Sequence, residues 1–362
     1  MSEIYGPVHH VSSPINELDI AERLQIHKKR QETVRRGKRM SASYGAELSE
    51  DLVTSSGWTV FHQHYIASGS FGKVYVAVNQ VTKQVAAAKI IAKAVLRSNK
   101  IPRQHGGSIL SLENIRDEVR LQRKASQSNP FVARILDFTE ENPQYVIIIM
   151  EKAKVDLQDW IEGASPTSGH DLARVNVAYQ LIIGVYLMHK AGIVHRDIKP
   201  GNVLLFNDID LEVVPVKFTD FGLACDATDQ DCLHRMTVSR AFAPMEVQNP
   251  KGVAPDFNGW KAVDMWGLGA LLHYVFYGWL PEANAGYFPR PFDDVVYTDA
   301  DKAMWKPPTI SSDLKNLLMS MMATEPQNRI TFPEIFVHPA FKTFEEILAK
   351  ANNPFLNVWK HG

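Results

Sequence analysis

Cysteine is scarce in this chain. Only Cys225 and Cys232 occur in 362 residues, too few for the disulfide framework of a small secreted domain. The expectation is two free thiols in a reducing compartment, the cytoplasm or the nucleus. Long apolar runs are missing too. The longest, YVIIIM at residues 145–150, falls far short of the ~20 residues that span a bilayer, and the opening MSEIYGPVHH lacks the basic-then-apolar pattern of an export signal. Stable membrane insertion is therefore not expected. Nor is there an excess of either charge: 39 basic residues face 40 acidic ones, so nothing global points to nucleic acid or an anionic surface as partner. What remains is 45% hydrophobic and long enough for two lobes with sizeable cores.

Residues 1–57 have no sustained apolar periodicity and read as a flexible basic leader; His27 to Met40 hold seven Lys or Arg against the single Glu32. The texture changes at Trp58. Tyr65 to Val78 places two β-rich flanks around a Gly-rich turn, and Gln84 to Ile91 supplies another strand. After the basic connection RSNKIPRQHGGS come a helix near Leu112 to Ser126 and the strand-like FVARILDF and YVIIIM. Beyond Glu151 the periodicity becomes helical, first in DLARVNVAYQLIIGVYLMHKAG with Gly192 as its stop, then at Lys261 to Tyr277, Ser311 to Ala323 and Phe332 to Phe336. A small β-rich part thus precedes a larger helical part, with a cleft expected near residues 150–155.

The polar residues with chemistry sit where apolar ones would be expected. Ala67, Ser68, Gly69, Ser70, Phe71 and Gly72 join two strands, and glycines there let main chain approach a phosphate; a tight hairpin would use the same residues. Lys89 ends an Ala-Ala-Ala-Lys run on an apolar strand, and a buried lysine needs an anionic partner. Glu118 provides one, because Ile115, Leu121 and Ala125 share its helix face. Asp220-Phe221-Gly222 follows a strand-like segment, where a carboxylate beside a flexible Gly suits a divalent cation. VHRDIKPGNVLL, residues 194–205, inserts His195, Arg196, Asp197, Lys199 and Asn202 between apolar ends, and polar groups in such a place need partners or a job.

Taken together and in this order, these motifs resemble a eukaryotic protein kinase over roughly residues 60–342. The resemblance implies an α+β, bilobal protein-kinase fold: a β-rich N-lobe (58–150) with one key helix, a hinge (151–155), a larger mainly helical C-lobe (156–342) and a short tail (343–362). It implies ATP and Mg2+ as cofactors and protein Ser/Thr hydroxyls as substrates. Asp197 would accept the substrate hydroxyl's proton, Asn202 and Asp220 would hold magnesium, and Lys199 would neutralise the transferring phosphate. Lys89, fixed by Glu118, would hold the α and β phosphates. The backbone of Glu151 to Ala153 would bind adenine, with Met150 as gatekeeper and Val74, Ala87 and Leu204 around the base. Lys199, two residues after Asp197, resembles Ser/Thr rather than tyrosine kinases. Asp264-Met265-Trp266-Gly267-Leu268-Gly269 matches a buried-helix pattern, and Arg329 is the expected partner of Glu246.

Two departures bear on function: Ala67 replaces the first glycine of the loop, and the usual Ala-Pro-Glu reads Ala243-Pro244-Met245-Glu246, as though a residue had been inserted. Both would suit a pseudokinase scaffold that binds nucleotide and partners without turnover; the retained Lys89, Asp197, Asn202 and Asp220 speak for an enzyme. A small-molecule kinase fits less well, since helices for peptide docking follow Gly259. The insert at residues 97–108 and Pro333 to Pro339 resemble calcium/calmodulin-dependent protein kinase kinases, which phosphorylate the activation loops of other kinases. Calmodulin itself is left open, because Thr343 to Gly362 is short and carries Glu345 and Glu346. Arg196 is expected to pair with a phosphate on the activation segment, with Thr237 the first candidate and Thr228 and Ser239 behind it.

Overall fold

The computed structural model describes residues 47–68, 72–97, 111–163, 171–206, 214–236, 238, 242–248, 255–278 and 312–356. Residues 1–46 of the basic leader, most of the 97–108 insert, the loop tip at 69–71, Thr237 and Ser239 lie outside them. The rest of the expected leader, residues 47–57, belongs to the folded lobe, since Leu48 is buried in its core and Leu52–Val53 forms a strand, so ordered structure starts before the expected Trp58.

The upper lobe is built on strands β1 (Leu52–Val53), β2 (Trp58–Ser68), β3 (Lys73–Asn79), β4 (Val85–Ala92), β5 (Ile135–Thr139) and β6 (Tyr145–Glu151). They form one sheet in the order β1-β2-β3-β4-β6-β5, with every neighbouring pair antiparallel. The unbroken apolar runs of β4 and β6 follow from burial on both faces. Ala86, Ala88, Ile90, Ile147 and Ile149 pack under Trp58 and Tyr75, while Ala87, Ile91, Val146, Ile148 and Met150 pack on the other side with Ile115 and Val119 of a helix. The two-residue period of β4 therefore puts Lys89 on the helix side, between Ala87 and Ile91.

That helix, α2 (Leu112–Ser128), follows the short α1 (Lys93–Arg97). It begins at Ser111, whose hydroxyl accepts from the Asn114 amide (3.2 Å) while the Asn114 side chain accepts from the Ser111 amide (2.9 Å). Its inward face consists of Ile115, Glu118, Val119, Leu121, Gln122 and Ala125. Gly72 owes its identity to packing as much as to its loop, since a Cβ there would run into the Ile90 carbonyl oxygen of β4.

The chain leaves the upper sheet at Glu151 and enters the lower lobe through β7 (Val155–Asp156), which pairs with β9 (Val203–Leu205) in a sheet of order β10-β9-β7. Between them run α3 (Leu157–Gly163), α4 (Asp171–Lys190) and β8 (Ile193–Val194). Helix α4 is apolar nearly all round because neighbours enclose it, and it ends where Gly192 takes φ +74°. After β10 (Val216–Phe218) come β11 (Cys225–Asp226), paired with β8, and α5 (Gln230–Leu233). The lobe closes with α6 (Phe257–Tyr277), α7 (Ser312–Met321), α8 (Phe332–Val337) and α9 (Pro339–Lys350). Helix α6 is capped by Asp256, which accepts from the Gly259 amide at 2.7 Å, and it ends at Gly278 with φ +75°. None of the helices among the described residues is long and apolar enough to cross a membrane.

The α+β, two-lobed architecture is the expected one. Two further details differ from the expectation. Cys225 and Cys232 are joined in a disulfide rather than left as thiols. The boundary anticipated at residue 342 falls inside α9, whose Phe341, Phe344 and Leu348 are buried in the lower core. Just past it Asn353 donates to the Asn176 side chain of α4 (3.0 Å), and Phe355 meets Phe131 edge to face. The apolar face of α9 is thus spent on the protein's own core. Leu348→Ala should therefore cost about 2–5 kcal/mol of folding free energy in urea unfolding, as for any core leucine; a surface-like loss below about 0.5 kcal/mol would show that the helix is peripheral.

Candidate active site

The cleft between the lobes is defined first by a charge that cannot stand alone. The Lys89 ammonium lies 2.6 Å from Glu118 Oε1 and 3.4 Å from Asp220 Oδ1, so β4, α2 and the turn after β10 meet at one cation. Burial by itself would push that ammonium down, but the carboxylates of Asp220 and Glu118 outweigh it and hold the lysine protonated. Two carboxylates share one cation, and their environments push them apart. Burial raises Glu118 and the charge of Asp220 adds to it, with Lys89 opposing; Asp220 is lowered, because Lys89 and Lys199 together overcome its burial.

Below this pair, the polar stretch at 194–205 folds into a tight loop. Its anchor is Asp264 on α6, about 1% exposed. The carboxylate accepts from the backbone amides of His195 and Arg196, each at 2.8 Å, and sits 2.9 Å from His189 Nε2. Arg196 takes φ +61°, a conformation that β-carbon residues adopt only under such constraint. The His195 ring is fully buried beside Phe221, with Nδ1 accepting from the Asp197 amide and Nε2 facing the Thr219 carbonyl (3.2 Å), so this histidine braces the loop.

The anchored loop presents Asp197 in a particular state. Its Oδ2 accepts from Lys199 Nζ (2.7 Å) and Asn202 Nδ2 (2.8 Å), whereas Oδ1 is buried and has no hydrogen-bond partner among the described residues. An orphaned carboxylate oxygen is costly and points to a group that arrives later. Asn202 spends its amide hydrogens on Asp197 Oδ2 and the Asp197 carbonyl, which leaves its side-chain oxygen for a cation. Its carbonyl accepts from Thr219 N (3.0 Å), which ties the loop to Asp220, itself at φ +62°. Among the described residues no group of three His, Cys, Asp or Glu side chains is placed to hold a metal. The set present, one amide oxygen and one carboxylate kept ionised, fits a hard cation that draws the rest of its shell from phosphate oxygens and water.

Some of the expected nucleotide-binding residues lie among the described residues. Val74, Ala87 and Met150 pack together, and Leu204 on β9 is left half-buried between the fully buried Val203 and Leu205. Ala67 and Ser68 end β2 opposite Val74 and Lys73, with the Ser68 hydroxyl 2.7 Å from that of Tyr65; Gly69, Ser70 and Phe71 fall outside the described residues. At the hinge, the Glu151 side chain is held by Arg134 and Lys217 (2.8 and 2.7 Å), and the amide of Ala153 lies beyond the end of β6 without a main-chain partner among the described residues. Arg329 pairs with Glu246 at 2.7 Å, so the altered Ala-Pro-Met-Glu leaves that ion pair intact and turns Met245 outward, 60% exposed.

Arg196, the expected phosphate receiver, is engaged by main chain of the segment that follows Asp220. Its guanidinium donates to the carbonyls of Leu223 (2.6 Å), Cys232 (3.1 Å) and Arg235 (2.9 Å) and lies over the Trp260 ring. Burial brings its pKa down to about 10. Among the candidate phosphosites, Thr228 is exposed and donates to Asp226 Oδ1 (2.9 Å), while Thr237 and Ser239 lie outside the described residues. Sequence reasoning missed Asp226, a buried carboxylate 2.6 Å from Lys124 of α2 and 3.9 Å from Arg120. No local motif marks it, because its partners are about a hundred residues away.

A two-lobed cleft with a buried Lys–Glu pair above and an Asp, Lys, Asn and Asp set below defines a phosphoryl-transfer site. The chain belongs to the protein kinase family: the family described as "Protein kinase domain" matches residues 62–341. Similar proteins include CBL-interacting serine/threonine-protein kinase 14 of Arabidopsis thaliana, 32% identical over 76% of this chain and 57% of that one. Serine/threonine-protein kinase RAD53 of Saccharomyces cerevisiae is 27% identical over 76% of this chain and 32% of its own length. The probable serine/threonine-protein kinase KCC4 of the same yeast is 28% identical over 77% and 25%, respectively. The chain thus spans between a quarter and just over half the length of these relatives, and its class is that of the serine/threonine kinases.

Glu118→Gln keeps the size of the side chain and removes one of the two charges that hold Lys89. The expected result is a kcat/KM for ATP at least about tenfold lower, read by steady-state kinetics with ATP varied; an unchanged value would make the pair purely structural.

Proposed function

We propose that this protein transfers the γ-phosphate of ATP to serine or threonine hydroxyls of protein substrates, with Mg2+ as the activating cation. The observation that carries the reading is the Asp197 carboxylate: one oxygen is fixed by Lys199 and Asn202, and the other is buried without a partner among the described residues. A substrate hydroxyl donating to Oδ1 would fill that vacancy, and the same contact would orient its oxygen and receive its proton. Lys199, 2.7 Å from Asp197, lies within reach of the phosphoryl group and would offset its charge. Lys89, held by Glu118, would grip the phosphate chain, and Asn202 and Asp220 would hold the cation, whose contribution is to neutralise phosphate oxygens. The retained geometry of all six side chains supports turnover over the scaffold reading, which would need none of it.

The narrower role, an upstream kinase acting on the activation loops of other kinases, is part of the proposal on sequence grounds. Of the two stretches behind it, Pro333 to Pro339 is accounted for by the fold: Thr331 and Glu334 form a capping box, Ile335 is buried, and the His338 ring accepts from the Ala340 amide to start α9. The role therefore rests on the insert at 97–108, whose basic composition suits docking of an acidic partner surface.

The test is transfer from labelled ATP with magnesium, with wild type and Asp197→Asn side by side, on a generic Ser/Thr substrate and on an inactive kinase bearing its own activation loop. Loss of the base should lower kcat by about 10²–10⁴-fold. Preference for the kinase substrate would support the upstream role. Equal silence of both proteins, with ATP still bound, would overturn catalysis in favour of the scaffold.

A further inference from the structure

The segment after Asp220-Phe221-Gly222 carries two observations that the phosphotransfer reading does not use. Cys225 and Cys232 are linked, and the Cα atoms they join lie 5.8 Å apart. The loop between them also holds the groups that connect the catalytic loop to α2. Asp226, next to Cys225, is 2.6 Å from Lys124 on α2, the helix that bears Glu118. Ala227 donates to the Gly192 carbonyl at 2.8 Å. On the far side, the Cys232 carbonyl accepts from Arg196, the residue beside Asp197, whose guanidinium also lies 3.5 Å from the Cys232 sulfur. Leu233, one residue on, is buried and accepts from Trp260 Nε1 at 2.8 Å.

We infer that the Cys225–Cys232 disulfide is a redox-sensitive modification site that locks the activation segment in its assembled form, and that its reduction lowers phosphotransfer. This rests on the function proposed above. The bond closes a loop of eight residues across the seam between β11 and α5 and covalently holds Cys232 where its carbonyl meets Arg196. Three main-chain carbonyls accept from Arg196 Nε and Nη1 in this state, two of them at Cys232 and three residues beyond it. With the bond open, α5, a single short turn capped by Asp229, is held by hydrogen bonds and the packing of Leu233 alone, without a covalent tie. The contacts to Arg196 and the Asp226–Lys124 tie to α2 then slacken together.

The chemistry is thiol–disulfide exchange with a dithiol as the reductant. Cys225 is fully buried and Cys232 is half-buried, so the attacking thiolate meets the Cys232 sulfur. The disulfide breaks, a mixed disulfide forms at Cys232, and Cys225 leaves as a thiolate that takes up a proton. The second thiol of the reductant closes its own disulfide and releases Cys232, which takes up the second proton. In all, two electrons and two protons pass to the protein, and the dithiol becomes a cyclic disulfide.

The experiment uses the full chain purified without reductant, then treated with dithiothreitol or left untouched. Alkylation followed by mass spectrometry should find both cysteines blocked until dithiothreitol is added; free thiols at the outset would overturn the proposal. Reduction should lower kcat/KM at least fivefold, with recovery on reoxidation, and Cys232→Ser should stay at the low level in both conditions. Equal turnover of oxidised and reduced wild type, higher turnover on reduction, or a response that persists in Cys232→Ser would each sink it. Hydrogen exchange of amides 225–236 gives a readout that needs no catalysis and should quicken at least tenfold on reduction of wild type only. If no form of the protein turns over, faster exchange confined to wild type still supports the lock, while unchanged exchange overturns it; the function proposal would fail on its own terms.

Discussion

A single buried ammonium holds the site together. Lys89 lies on the helix-facing side of β4 because a strand alternates its side chains, and there it is largely shielded from bulk water. A cation in that position is strongly unfavourable unless anions come to it. Glu118 arrives from α2 and Asp220 from the turn after β10, so satisfying one charge fixes the helix against the sheet and the lower-lobe turn against both. Removing Lys89 would leave the carboxylates of Glu118 and Asp220 facing each other without a cation, which makes the interaction a constraint on the whole cleft.

The lower half of the site obeys the same rule with a negative charge at its centre. Asp264 is inside α6, an apolar helix, and it is tolerated because two backbone amides and His189 surround it. Those amides belong to His195 and Arg196, so the carboxylate shapes the catalytic loop without touching a reacting atom. Asp197 is then held by its neighbours on one oxygen and left open on the other. The site is stable enough to hold this imbalance because everything around it is paired.

The activation segment shows how far local chemistry can mislead. Arg196 next to Asp197 reads as a receiver of phosphate, and in the fold its Nε and Nη1 donate to the carbonyls of Leu223, Cys232 and Arg235, with Trp260 beneath. Two cysteines in a chain otherwise poor in them read as free thiols, and seven positions of separation say nothing about whether the intervening loop folds back. It does fold back, through the β11 pairing with β8 and the short helix α5, and that brings the sulfurs together.

Much of the molecule was legible from residue order. The periodicities placed β4, β6, α2, α4 and α6 to within a few residues, because each is long and its burial pattern follows its own repeat. The Lys89–Glu118 pair was legible for the same reason: each residue was an anomaly on an apolar face, and the two anomalies had opposite charge. The Glu246–Arg329 pair followed from the resemblance. What stayed hidden were contacts whose partners carry no local signal. Asp226 with Lys124, Asn353 with Asn176 and the carbonyls around Arg196 join residues tens to more than a hundred positions apart, through polar atoms that every chain possesses. The sequence by itself determined the family, the lobes and the identity of the reacting groups, since those depend on periodicity and on rare residue types in apolar settings. Only the tertiary structure decided which oxygen of Asp197 is open, what satisfies Arg196, and that Cys225 meets Cys232, because each depends on where main chain from another element comes to rest.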